Sequence, residues 1–275
     1  MAEWMRTAIL IVTLGISAAV GALGADWLVG SRGGLGPTIL QSIDPIRASL
    51  AILLVLAIAT ILGLFVGKVS SAASGMFVVG FALFAMVMRT QGVTEFIFSE
   101  GNTTLLIVEA LGLSLFLLIC SISMFRISGP LEDVPLNESE KWDAPFSPRS
   151  IGMTLLISLA MLPVIWLVAV TPSKGQVIGA AAVGGIVVAC LARKWTPNLQ
   201  PLILFAAPTA IAAVGYAIAT SMGVTDIAFT QNTISPFIFP MPLEYAAGSL
   251  MGIPIGLSWG ASLAKNETWV EVTKV

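Results

Sequence analysis

Eight long apolar stretches, almost free of charge and separated by short polar joints, leave this 275-residue chain very few ways to fold. They are Thr7 to Leu23, Ala48 to Gly67, Val69 to Met88, Thr104 to Phe125, Ile151 to Val170, Val177 to Ala192, Leu202 to Met222 and Leu243 to Ala264. Each approaches the roughly 20 residues that carry a helix across a hydrocarbon core of about 30 Å. They are continuous runs, not the alternating segments of about ten residues that build a membrane barrel. Composition agrees: 57% of residues are hydrophobic and 10% charged, against about 25% charged in an ordinary soluble domain. A soluble chain of this size must clothe its surface in polar groups, whereas a bilayer accepts an apolar exterior. The expected fold is an all-α integral membrane protein of about eight transmembrane helices, in contact with a lipid bilayer. A plasma membrane or a bacterial inner membrane is the expected location.

Orientation follows from Lys and Arg. With the N-terminus inside, the inner set is Arg6, Lys68, Arg126, Lys141, Arg149, Arg193, Lys194, Lys265 and Lys274, and the outer set is Arg32, Arg47, Arg89 and Lys174. Nine against four favours both ends in the cytoplasm. The sixth run is short and rich in Ala and Gly, yet Arg193 and Lys194 directly after it read as an inner stop. Trp4 and Trp27 bracket the first run, and Trp166, Trp195 and Trp259 fall near the ends of later ones, where amphipathic rings meet the headgroups. Arg6, an apolar core and Ala22-Leu23-Gly24 also resemble a secretory leader, but the basic start is weak and a retained first span is expected.

The chain divides into a membrane half over 1–125, a cytoplasmic linker over 126–149 and a second membrane half over 150–275 with a short tail. Pro130, Pro135, Pro145 and Pro148 and a mixture of charges mark the linker as an exposed connection; its acids with Trp142 and Phe146 offer a weaker docking reading. Spans two to four and five to seven share a layout of long span, turn with one Lys (Lys68, Lys174) and small-residue span ending at Arg (Arg89, Arg193). Three spans separate the units, so a repeat between them would be inverted, as in many secondary transporters. Residue identities give it little support.

The most specific pattern lies in the last run. Gly248, Gly252, Gly256 and Gly260 recur every fourth residue, with Glu244 and Ala264 on the same ridge. Four residues advance a helix by about 400°, so these positions make one oblique stripe without side chains. In lipid such a groove lets a second backbone approach closely. Packing within the chain is the first expectation, and a homo-oligomer or a membrane-protein partner through this last helix is the second. Pro254 inside the stripe should bend the helix.

Glu109 is the one ionisable residue placed well within a run. Intramembrane carboxylates are costly and mark ion or proton paths, with Arg89 or Arg47 at the same level as candidate partners. Glu109, Arg89 and Glu244 are therefore the candidates for an ion or solute pathway; a late start of the fourth span, with Glu109 reaching the headgroups, is the plainer alternative. Asp26, Asp44, Glu95, Glu100, Asp226 and Glu244 at the outer level read as scattered loop charges. The segment Ser235 to Pro242 is too apolar for a free loop and too rich in proline for regular helix, so an interfacial lid or shallow re-entrant turn is expected there. The first outer loop, with Gly30, Gly33, Gly34 and Gly36, lacks the lysine of a phosphate loop and reads as a flexible connection.

Much is excluded. Histidine is absent, which removes the commonest general base, transition-metal ligand and haem ligand. Cys120 and Cys190 are too few for a thiolate cluster, and no run interior holds the two aspartates of an intramembrane protease. No metal, cofactor or catalytic residue is expected, and the chain is not expected to be an enzyme. A net charge of −2 without a basic block offers no footprint for nucleic acid. A transporter or channel-like permease for a small solute or ion is the leading expectation. The alternative is a non-catalytic membrane subunit or scaffold that assembles through the glycine-striped helix.

Overall fold

Helix starts are written into the sequence by short polar residues that accept the free backbone N–H groups of a first turn. The computed structural model describes residues 2–134 and 144–272, with side chains through Leu263. In it, α1 (Glu3–Ala25) leads to α2 (Pro45–Val69), which Asp44 caps by accepting from the Arg47 N–H, with Pro45 at the first position. Ser71 caps α3 (Ala72–Arg89), and the short α4 (Val93–Phe98) precedes α5 (Thr103–Ser128), capped by Asn102. Ser147 caps α6 (Pro148–Ser158), followed by α7 (Met161–Val168), α8 (Lys174–Trp195), α9 (Ala207–Met222), the short α10 (Asp226–Thr230) and α11 (Pro242–Val272). Among the described residues there is no strand, only an isolated bridge between Val29 and Leu35.

Six helical segments are long and apolar enough to cross a membrane: α1, α2, α3, α5, α6 with α7, and α8. The chain is thus an integral membrane protein by length and apolarity. The seventh predicted run forms a helix only from Ala207, giving α9 16 residues, and α11 carries the eighth. The fifth run is broken at Leu159 and Ala160. Pro163 has no N–H to offer the Leu159 carbonyl and its ring crowds that group, so the helix restarts one turn earlier. Pro254, in contrast, sits inside α11 without ending it.

The bundle is apolar on both its inside and its outside. Ile11, Ile16, Leu54, Ile61, Phe65, Leu115 and Leu167 are exposed, a surface that water penalises and lipid tolerates. Trp4, Trp27, Trp166, Trp195 and Trp259 are also exposed, the first four near helix ends and Trp259 within α11.

Two helices form the centre. α3 lies against α1, α2 and α11, and α11 lies against α8, α3 and α9. From Phe237 to Leu250 every residue is buried, so the first half of α11 and the turn before it are enclosed by protein. Ser235 to Pro242 does not float as a lid: Phe237, Phe239 and Met241 are buried, and the Tyr216 hydroxyl donates to the Pro240 carbonyl at 2.7 Å. It is a buried turn within the bundle, where its aromatic rings are packed and the Pro240 carbonyl finds a donor.

The glycine stripe faces α8. A Cβ at Gly248 would meet the Ala181 Cβ at 2.5 Å, at Gly252 the Ala182 carbonyl oxygen at 2.0 Å, and at Gly256 the Ile186 carbonyl oxygen at 2.4 Å. At Gly260 it would meet the Arg193 Cβ at 2.7 Å. The groove is filled by this chain's own helix, so it offers no open face to an outside partner, and assembly through the stripe would require α8 to leave. Hydroxyl groups join other helices: Ser17 donates to the Val78 carbonyl at 2.9 Å, Ser114 to Ala206 at 3.0 Å and Ser121 to Leu202 at 2.8 Å. Ser121→Ala is expected to cost roughly 1 kcal/mol, in line with interhelical bonds in lipid, read as a lower melting temperature of the purified protein without loss of fold.

Two of the closest helix pairs run parallel, α1 with α3 (Ser17 at Val78, Gly21 at Ala82) and α8 with α11 (Gly248 at Ala181, Gly260 at Arg193), and the charges collect at two ends. At one end, the loop end of α1 and α2, lie Arg89 with Asp26 at 2.7 Å, Arg32 with Glu95 at 3.4 Å, and Lys174 with Glu244 at 2.6 Å. At the other, Arg193 holds both carboxylate oxygens of Asp133 at 3.0 and 2.9 Å, and Gln200 exchanges two hydrogen bonds with the Leu131 backbone. The first residues of the linker therefore belong to the bundle, and Leu131 and Val134 are buried. Pro135, Lys141, Trp142, the remaining linker acids, Lys274 and the side chains of Ala264 and Lys265 lie outside the described residues.

Candidate functional site

Glu109 is placed by two ties, both made by the segment between α1 and α2. The first is at the start of α5, where Gln41 and Asn102 exchange hydrogen bonds, the Asn102 N–H to the Gln41 Oε1 at 2.6 Å and the Gln41 Nε2 to the Asn102 carbonyl at 3.2 Å. The second is the loop over 26–44. Its glycines do not leave it loose: the Gly30 and Gly36 backbones touch, and Gly36, Ile43 and Gln91 donate N–H bonds to Leu28, Val29 and Leu35. The flexible connection expected from its composition is instead a folded segment, because residues without side chains let its two strands of chain close on each other. Pro37, Thr38 and Ile39 are buried at the helix ends.

Six residues beyond Thr103, or about 9 Å along the axis at 1.5 Å per residue, Glu109 meets this loop. Its Oε2 accepts from the Ile39 N–H at 2.8 Å and the Leu40 N–H at 3.0 Å. The residue is 3% exposed, and its second oxygen, Oε1, is buried with no hydrogen-bond partner. A buried carboxyl oxygen without a donor costs free energy. Glu109 also lines a cavity of about 280 Å³ between α2 and α5, walled by Ile39, Leu40, Ile52, Leu53, Leu113 and Phe116. Gly112 borders it too, and a Cβ there would have nothing within 4 Å.

The other pathway candidates do not join it. Arg89 pairs with Asp26 and donates to the Ala22 carbonyl at 2.5 Å. Arg47 turns to Asp44 at 3.5 Å. Neither is the partner of Glu109: the surface arginines reach carboxylates at their own level, and the interior carboxyl is met by main-chain amides. Glu244 is 1% exposed and pairs with Lys174. The Lys174 ammonium also donates to the Thr90 hydroxyl at 3.2 Å and the Gln91 carbonyl at 3.0 Å, which occupies all three of its hydrogens. The second oxygen of Glu244 accepts from the Met241 N–H at 2.8 Å. This second centre is closed on itself and ties α3, α8 and α11 together.

Tyr216 of α9 and Tyr245 of α11 are buried edge to face with centroids 6.0 Å apart. The Tyr245 hydroxyl is buried without a partner. Lys174, read from sequence as a turn residue, and the tyrosine pair carried no pattern that would single them out; they become visible only when four helices meet.

The described residues contain no group of three His, Cys, Asp or Glu able to hold a metal ion. Cys120 and Cys190 are free, and the Cys190 thiol donates to the Gly256 carbonyl at 3.3 Å. Comparison with known proteins returns no matching family model, no curated relative and no similar solved structure.

Proposed function

We propose that this chain is a permease, a multi-pass membrane protein that moves a small solute or ion across its bilayer with Glu109 on the path. The observation that carries the reading is a buried carboxyl group with one satisfied and one unsatisfied oxygen, beside a cavity inside an apolar bundle. Such groups are expensive in a membrane and are kept where an ion, proton or polar solute binds. Eight crossings with both ends inside complete the proposal, α9 and α11 being the seventh and eighth. The six segments of sufficient length, the parallel course of α8 beside α11 and the distribution of basic residues support that topology. The inverted relation between α2, α3 and α5 on one side and α6 to α9 on the other belongs to the same reading. Its support is that α3 and α8, the middle members, both lie against α11. The absence of histidine and of a nucleophile with its base favours a carrier over a catalyst.

The test is flux. Purified protein in proteoliposomes carrying an internal pH dye, under imposed proton, sodium or potassium gradients, should dissipate one of them. Glu109→Gln should slow that flux by roughly tenfold or more, as expected for a group on an ion path, while still eluting as a single folded species. A parent protein that dissipates none of the gradients overturns the transport reading. Equal flux through Glu109→Gln removes Glu109 from the path.

A further inference from the structure

The cavity beside Glu109 is neither a sealed void nor an aqueous vestibule. Its walls are side chains of α2 and α5 that also face outward, with Leu53, Val108 and Phe116 exposed on the apolar surface of the bundle. It is thus a groove that opens sideways, toward the space where lipid lies. Its volume of about 280 Å³ falls just below the range for small-molecule sites, roughly 300–1,000 Å³. Gly112 keeps it open: one turn of α5 past Glu109, its missing side chain leaves space that no neighbouring residue fills.

Ser49 and Glu109 are the polar side chains that line this otherwise apolar space. Glu109 Oε2 is satisfied by the Ile39 and Leu40 amides, and Oε1 has nothing. The basic residues at that level are already taken, Arg47 by Asp44 and Arg89 by Asp26. An occupant that completes the site must bring a donor. A cationic donor does so best, because a charge-assisted hydrogen bond is about twice as strong as a neutral one, and low surrounding polarity enlarges the difference.

We propose that the groove between α2 and α5 binds a membrane-borne amphiphile, an alkyl chain ending in a primary ammonium group, with the ammonium on Glu109 Oε1 and the chain along Ile52, Leu53, Leu113 and Phe116. The assignment deepens the transport reading, resting on the same carboxyl group, and makes lipophilic amines the class of solute that reaches the site from within the bilayer.

The full-length protein in a mild detergent should bind radiolabelled n-octylamine in equilibrium dialysis at one saturable site per chain, above the partition into micelles measured without protein. Glu109→Gln should weaken that binding tenfold or more. Gly112→Leu, whose Cβ would meet nothing within 4 Å and whose longer side chain would occupy the groove, should abolish it while the protein keeps a cooperative melt, so the result stands even where Glu109→Gln fails to fold. n-Octanol and n-octanoate should not compete. Competition by n-octanol equal to that of n-octylamine would overturn the cationic assignment, binding unchanged by Gly112→Leu would overturn the location, and no saturable binding would overturn the proposal outright. Loss of the amine site with Glu109-dependent flux retained would leave the transport reading standing, so the two can fail separately.

Discussion

Gly252→Leu is expected to prevent the chain from reaching its folded state in the membrane. The Cβ alone would stand 2.0 Å from the Ala182 carbonyl oxygen and 2.8 Å from its carbon, both main-chain atoms of α8. Extra atoms in a packed interior typically cost about 1–3 kcal/mol when side chains can shift. Here the obstacle is backbone, so the whole of α8 must move away from α11, and the neighbouring approaches at Gly248 and Gly256 go with it. The expected cost exceeds about 3 kcal/mol, the top of that range. Size-exclusion of the detergent extract should show loss of the monodisperse peak. Gly179→Leu is the matched control: it lies on α8, but a Cβ there has nothing within 4 Å, and its peak should be unchanged. A monodisperse Gly252→Leu protein with the parent's melting temperature would show that α8 does not occupy the stripe.

The second large effect is expected at the Lys174 and Glu244 pair. The Glu244 side chain is 1% exposed and that of Lys174 23%, so removing the ammonium leaves a buried carboxylate without its cation, and the Thr90 hydroxyl and Gln91 carbonyl without their donor. Breaking a buried pair from one side costs about 3–5 kcal/mol, whereas replacing both partners by groups of similar volume is often nearly neutral. Lys174→Met should therefore destabilise the protein strongly, and Lys174→Met with Glu244→Gln should recover most of the loss. Thermal unfolding of the three proteins, in one detergent and at one ionic strength, measures this. Equal stability of Lys174→Met and the parent would mean that the pair does not hold α3, α8 and α11 together.

How much of the site was legible differs from residue to residue. Glu109 stood out in the sequence because a carboxylate within an apolar run has a physical cost that needs an explanation. Its partners did not stand out, since they are backbone amides of Ile39 and Leu40, and every residue but proline has one. Arg89 and Arg47 were reasonable partners by level alone, yet level along the membrane normal does not set position around the bundle. Gly112 was invisible as well: nothing in the sequence sets it apart among 26 glycines, and only its place on the cavity wall does.

The helices themselves were determined by the sequence, since an apolar run must satisfy its own backbone hydrogen bonds in lipid and only a helix does so within one segment. The apolar exterior, the aromatic ends and the close approach along Gly248, Gly252, Gly256 and Gly260 follow from the same local rules. Which helix fills that stripe was decided by tertiary structure alone. A groove of glycines accepts any backbone, and α8 takes it because Ala181, Ala182, Gly185 and Ala189 give it a face as small as the stripe it meets. The loop that satisfies Glu109, and the groove left open beside it, likewise arise only when α2, α5 and the segment between α1 and α2 are brought to one place, because neither an amide partner nor an empty volume is a property of any single residue.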